Sequence, residues 1–287
     1  MKIVCSLEYE LWLYPYQHYV CYILNKLHEL GHTVYVNATK LHPHIEKELS
    51  KFKRYEKHIH VDIHLNASSS IKAFRHVKAD KHVMWILNNK SYFQAINNVN
   101  YVNKHYDTVI IPFRDENRFE MQKTLLIGIS KDLPLHEFVG NNRIGMLSYD
   151  IKQMKINPKQ LTTLYDFYAF GDRALPISYD VTQLYSIDIT FLSELIDFWC
   201  SFNDDIVDFG LIEAMACGLC CIVKPTPFNA YLLSNHNCIQ YLDLQELRIR
   251  LSVNYPLDVI REFGQRAQND IRLIHPSVEE YIKELVS

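Results

Sequence analysis

The sequence predicts an α/β protein built as two Rossmann-like halves, each a parallel sheet flanked by helices. Three observations carry this. The chain has 287 residues, 48% hydrophobic and 22% charged, a globular composition with enough length for two cores and no need of disulfide staples. Short apolar runs alternate with segments of helical spacing along its whole length, the pattern of repeated βαβ units. That alternation stops around Lys131-Asp-Leu-Pro134 and then restarts. Residues 1–135 are therefore expected to form one domain and 136–265 a second, with 266–287 a C-terminal helical segment crossing back to the first. With only 8 glycines and 10 prolines, a string of modules on flexible linkers is excluded.

In the first half, residues 2–7 are an apolar run. Val20, Ile23, Leu24, Leu27 and Leu30 then recur at helical spacing, and Gly31 stands where a C-cap belongs. Thr33 to Asn37 reads as the next strand, which completes a βαβ opening with a right-handed crossover. His58 to Leu65 is an expected strand, and Ser70 the cap of a short helix ending near Asp80. Val83 to Leu87 is a buried strand, Tyr92 to Lys104 a helix, and 108–111 and 124–129 are further strands. In the second half, strands are expected at 143–147, 164–170, 195–200, 220–223 and 238–242, with a helix over 210–217. Ile260, Phe263, Ala267, Ile271 and Ile274 line one stripe of a final helix that Pro276 interrupts. Ser277-Val-Glu-Glu280 offers a capping box for one more.

The net charge of −3 hides an asymmetry. Residues 1–135 carry 18 Lys and Arg against 13 Asp and Glu, whereas the rest carry 12 against 20, so the first half is suited to an anionic partner. Lys53, Arg54, Lys72 and Arg75 lead two basic clusters; a solvated face is the default reading, and a phosphate-contacting patch the sharper one, because Phe52, Tyr55 and Phe74 interleave. The 7 cysteines are odd in number and lie in apolar stretches, as buried thiols do in a reducing cytoplasm. Cys217-Gly-Leu-Cys220 has no second pair with which to hold zinc. His58, His60, Asp62 and His64 alternate on one strand face; we expect the polar side of an edge strand there rather than a metal site. The start reads as a strand rather than a leader, and no stretch is long and apolar enough to span a bilayer.

The most informative segment runs from Asp204 to Gly218. A carboxylate on the first turn of a helix, at the carboxyl edge of a parallel sheet, can accept two hydrogen bonds from a ribose diol, and the helix N-terminus beside it favours a diphosphate. Glu213 is placed for the first task. Asp205, eight positions earlier, lies in the loop leading to that helix and can reach a sugar.

This segment resembles the signature of GT-B glycosyltransferases, roughly E-x-F-G-x-x-x-x-E-A-M-A-C-G. Glu213-Ala-Met-Ala-Cys-Gly218 matches in full, Asp205 replaces the first glutamate, Val207 the Phe and Asp208 the Gly, and Phe209-Gly210 follows three positions late. Gly145 to Ser148 with Lys152, and Phe167 to Gly171 with Asp172 and Arg173, resemble the family's glycine turns beside the nucleotide. The resemblance implies two Rossmann-like domains facing a central cleft. It also implies a nucleotide-sugar of the UDP-glucose type, held by Glu213, Gly145, Ser148, Gly171, Asp172, Asp208, Phe209 and Gly210. Met146 stands where the family has an Arg on the diphosphate, so Lys152, Arg173 and Lys224 are the substitutes. The same stretches resemble the short phage DNA glucosyltransferases, which implies a hydroxymethylated DNA base as acceptor, on Lys53, Arg54, Lys72 and Arg75. A cell-envelope polysaccharide or lipid-linked glycan, and a nucleotide-binding module without transferase activity, are the alternatives.

Breaking an anomeric C–O bond builds positive charge on the sugar and negative charge on the diphosphate. Such a site needs cations or helix N-termini at the phosphates and a carboxylate near the sugar, here Asp205. An inverting reaction also needs a base. Glu8, Glu10 and Asp115 each follow a first-half strand, and Glu8 heads that list. No motif calls for a divalent metal or another cofactor, so the nucleotide-sugar is expected as co-substrate only.

Overall fold

A computed structural model describes residues 1–8, 15–38, 41–113, 118–185, 193–202 and 204–287. The chain divides into two compact units. The first comprises 1–128, 205–207 and 278–287; the second comprises 129–204 and 208–277.

The first unit is a seven-stranded sheet in the order β3-β2-β1-β4-β5-β6-β7, with every pair parallel. Its strands are β1 (Lys2–Ser6), β2 (Thr33–Asn37), β3 (Lys53–Arg54), β4 (His60–Asn66), β5 (Lys78–Trp85), β6 (Thr108–Ile111) and β7 (Gln122–Thr124). Helix α1 (Pro15–Glu29) buries the predicted stripe of Val20, Ile23, Leu24 and Leu27. Helix α2 (Pro43–Glu48) follows β2. The predicted helix over 92–104 is two, α3 (Asn89–Ile96) and α4 (Val99–His105); Asn88 caps the first through its side-chain oxygen on the Ser91 N–H.

Three expectations fail here. The strand expected over 124–129 is instead β7, which ends at Thr124, and residues 125–128 run on without strand pairing. No α-helix follows Ser70: a 3₁₀ turn (Ala73–His76) leads straight into β5, which starts at Lys78. The polar start of β5 hides it: Lys78 and Asp80 are exposed, and Asp80 pairs across the strands with His60, 2.7 Å away. Nor is β4 an edge strand, since it lies between β1 and β5.

The second unit is a six-stranded parallel sheet in the order β10-β9-β8-β11-β12-β13. The strands are β8 (Arg143–Leu147), β9 (Asp166–Phe170), β10 (Thr182–Leu184), β11 (Phe198–Ser201), β12 (Cys220–Val223) and β13 (Cys238–Gln240). β11 and β12 are buried at every position, as strands covered on both faces must be, and so read as unbroken apolar runs. Helices α5 (Ser148–Met154), α6 (Phe209–Cys217), α7 (Leu244–Arg250) and α8 (Leu257–Ile274) complete the unit. Gln268 of α8 donates to the Ala216 carbonyl at the end of α6, 2.8 Å away.

Helix α9 (Val278–Leu285) belongs to the first unit. Its buried Tyr281 hydroxyl accepts from the Trp85 indole at 2.8 Å, and its ring meets Tyr19 edge-on. No described helix is long and apolar enough to cross a membrane. The seven cysteines are buried as thiols.

Candidate functional site

In the second sheet, β8 has β9 on one side and β11 on the other, so the strand order reverses direction there. Ligands of open α/β sheets bind outside the carboxyl ends of the strands at such a point. The chain brings to this edge Ser148 after β8, Gly171, Asp172 and Arg173 after β9, Asp204 and Asp208 after β11, and Lys224 after β12. Helix α6 leaves the same edge.

All nine residues of α6 are buried except Glu213, which is half-buried. A helix apolar on every side belongs inside a core, and a single half-buried carboxylate in it needs a reason other than solubility. The helix starts at Phe209, so Glu213 is its fifth residue, one turn in rather than on the first turn. Asp208 is the N-cap: one carboxylate oxygen accepts the Leu211 N–H at 2.9 Å and the other takes the Ser201 hydroxyl. Its place among the donor-binding candidates is therefore that of a residue organising the helix. Asp208→Ala should cost about 1–2 kcal/mol in urea unfolding, and Asp208→Asn far less, because an amide oxygen still caps.

Gly145 and Gly210 lie in the packing beneath the edge. A Cβ at Gly145 would stand 2.5 Å from Ile196 and 2.6 Å from the Phe170 ring, and one at Gly210 would stand 2.7 Å from Trp199. Phe209 is buried, as is Ser148. Among the cations, the Arg173 guanidinium lies 5.1 Å from the centre of the Tyr149 ring, and the Gln183 amide donates to the Gly171 and Arg173 carbonyls, fixing that turn. Lys224 pairs with Asp204 at 3.1 Å and lies over Phe202. Lys152 is exposed on the second turn of α5.

No family model matches the sequence, and no curated protein sequence does. Solved structures match over nearly the whole chain. HepE from Anabaena, in complex with UDP and glucose, is 12% identical, with a TM-score of 0.73 over 98% of this chain and 97% of that one. A glycosyltransferase from Rickettsia africae is 13% identical, with a TM-score of 0.71 over 99% and 96%. A sucrose-phosphate synthase from Thermosynechococcus elongatus is 10% identical, with a TM-score of 0.69 over 99% and 97%. The chain has the GT-B fold.

The remaining predicted residues of this GT-B chain fall in its first unit. Asp205 belongs there by its contacts. The Asn89 carboxamide donates to Asp205 Oδ1 at 3.0 Å and accepts the Ile206 N–H at 2.8 Å, a pairing the sequence did not signal. Glu8, just past β1, is half-buried in the wall of a cavity of about 430 Å³ that Lys72 and Lys90 also line. Its carboxylate accepts from the Ser69 backbone N–H at 3.1 Å, from the Ser69 hydroxyl, and from Lys90 at 3.2 Å. Burial alone would raise its pKa, but the bonds to Ser69 and Lys90 outweigh that and hold it below the ordinary glutamate value. Glu10 and Asp115 lie outside the described residues.

The basic candidates do not converge. Lys53 and Arg54 form edge strand β3, and Arg54 is paired with Glu46 at 2.8 Å. Lys72 and Arg75 follow β4, three strands away, roughly 14 Å across the sheet. Arg75 lies over the Phe74 and Tyr101 rings.

The histidine strand is resolved one residue at a time. His60 pairs with Asp80, and Asp62 accepts the Lys2 N–H at 2.7 Å. His64 is fully buried, with Nε2 2.8 Å from the Ser6 hydroxyl and Nδ1 3.0 Å from Nδ1 of His82. Among the described residues, no group of three could hold a metal ion. Burial, with a smaller contribution from His82, lowers the His64 pKa from 6.5 to about 3. Between those values the unfolded chain binds a proton that the native state refuses, so stability falls as pH drops from about 6.5 to 3 and is fully present above. Urea melts across that range should show this slope, and it should be shallower in His64→Gln.

Proposed function

We propose that the protein is a glycosyltransferase that moves a hexose from a nucleotide-sugar of the UDP-glucose type to an acceptor hydroxyl. The observation that carries this is Glu213, the one half-buried residue of an otherwise buried helix that leaves the sheet at the edge where the strand order reverses. A charged acceptor there suits the two hydroxyls of a ribose. The HepE structures with UDP and with UDP-glucose, on the same fold, support the choice of donor.

In this reading Arg173, Lys224 and Lys152 take the diphosphate charge that grows as the anomeric bond breaks, so the reaction calls for no divalent metal. Asp205 is assigned to the sugar. Glu8 is assigned to the acceptor side as a positioning group, because a carboxylate held at low pKa is a poor proton acceptor near neutrality. The buried thiols suit a reducing compartment, and we place the reaction in the cytoplasm.

A DNA acceptor has little support. Lys53 and Arg54 lie three strands from Lys72 and Arg75, and duplex binding draws on many phosphate contacts made together. Retention on duplex DNA at low salt is therefore expected to be absent, and strong, salt-sensitive retention would reverse this judgement.

The decisive experiment is thermal shift with UDP, GDP and NAD, followed by mass spectrometry of acceptors incubated with UDP-glucose. Stabilisation by UDP with transfer of one hexose mass is expected. Stabilisation by NAD alone would overturn the proposal.

A further inference from the structure

Resting on the glycosyltransferase reading, we infer that the cavity beside Glu8 takes the acceptor, and that this acceptor is a sugar unit carrying a negative charge, as a carboxylate or a phosphate. The cavity, about 430 Å³, falls within the range of small-molecule sites, roughly 300–1,000 Å³. Such sites are usually mostly apolar. This one is lined by Glu8, Ser69, Ser70, Lys72, Lys90, Gln94 and Asn98, with Ile71 as its apolar contribution. A lipid tail or an aromatic aglycone would strip water from those groups and return no hydrogen bonds. A polyhydroxylated ring returns them.

The charge balance selects further. Glu8 and Lys90 cancel one another across 3.2 Å. Lys72 is an exposed lining residue directly before the 3₁₀ turn, and its ammonium has no hydrogen bond or ion pair among the described residues. Among the described residues, the lining therefore carries one uncompensated positive charge. The Gln94 carboxamide and the Ser70 hydroxyl likewise make no side-chain hydrogen bond among the described residues, so both donors and acceptors remain for hydroxyls. The Ser69 bonds pin the Glu8 carboxylate to the wall, which leaves Lys72 as the group that recognises an anion.

The test is calorimetric titration of the full chain with glucuronate, glucose 6-phosphate, neutral glucose and inorganic phosphate. At least one of the two charged sugars should bind tenfold or more tighter than glucose, and tighter than phosphate alone. Preference for glucuronate assigns the charge to a carboxylate, and the reverse to a phosphate. Lys72→Gln should erase the preference and Lys72→Arg should keep it. Equal binding of glucose, equal binding of phosphate alone, no sugar binding, or an unchanged preference in Lys72→Gln would each overturn the inference. UDP binding is read separately on the same preparation. If UDP binds and the charged sugars do not, the inference fails and the glycosyltransferase reading survives; if the charged sugars bind and UDP does not, that reading fails.

Discussion

Glu213→Ala is expected to weaken UDP binding ten- to a hundredfold while leaving the fold intact. Hydrogen bonds to a charged group contribute about 1.5–3 kcal/mol each, and every 1.4 kcal/mol is a factor of ten in Kd. The rest of α6 is buried and untouched by this change, and alanine is the best helix former, so the thermal midpoint should move by only a degree or two. Glu213→Gln keeps one acceptor oxygen and should fall between the wild type and alanine. Calorimetric titration with UDP checks all three. Unchanged affinity in Glu213→Ala would remove the ribose assignment and, with it, the main support for the donor site. A loss of affinity with a collapsed midpoint would instead mean that Glu213 holds the helix.

Gly264→Ala should produce the largest loss of stability from a single methyl group in the second unit. Gly264 lies within α8 where that helix crosses the end of α6. A Cβ there would collide with the Gly218 carbonyl oxygen and stand 2.7 Å from the Phe138 ring. Gly218 is the left-handed C-cap of α6, with φ of 80°, so the obstacle is backbone that cannot rotate away. In an open helix the same substitution would stabilise by about 1 kcal/mol through propensity. Overpacking costs about 1–3 kcal/mol and more when backbone must shift, so the net effect should be a loss of about 2 kcal/mol or more. Urea unfolding measures it, and the sign alone is diagnostic: a gain would mean that α8 and α6 do not cross this closely. Because α6 carries Glu213, UDP affinity should fall along with stability.

The candidate site was legible in the sequence where chemistry follows order along the chain. Glu213 and the run to Gly218 could be read because helix, cap and following strand are contiguous, and their burial leaves an apolar pattern. Gly145 and Gly210 can be located, but not that both make room for Trp199, which Gly145 meets from the neighbouring strand and Gly210 from α6. Asp208 could be noticed as a departure from a motif. That it caps α6 and pairs with Ser201 depends on where the helix begins, and boundaries are the least readable part of any element. The start of β5 is not legible because its first residues are mostly polar and exposed or half-buried, and only Val83, Met84 and Trp85 carry the buried apolar run.

The sequence by itself determined the α/β alternation and the two parallel sheets, and it singled out Glu213 as a candidate, because each rests on local periodicity or on one continuous segment. Only the tertiary structure decided which charged residues act together. It set Lys53 and Arg54 three strands away from Lys72 and Arg75, and gathered Glu8, Lys72 and Lys90 around one cavity. The physical reason is that a parallel sheet places each strand beside partners chosen by crossovers, not by nearness along the chain. The net balance of a cavity wall is therefore fixed by strand order, which no charge count along the sequence contains.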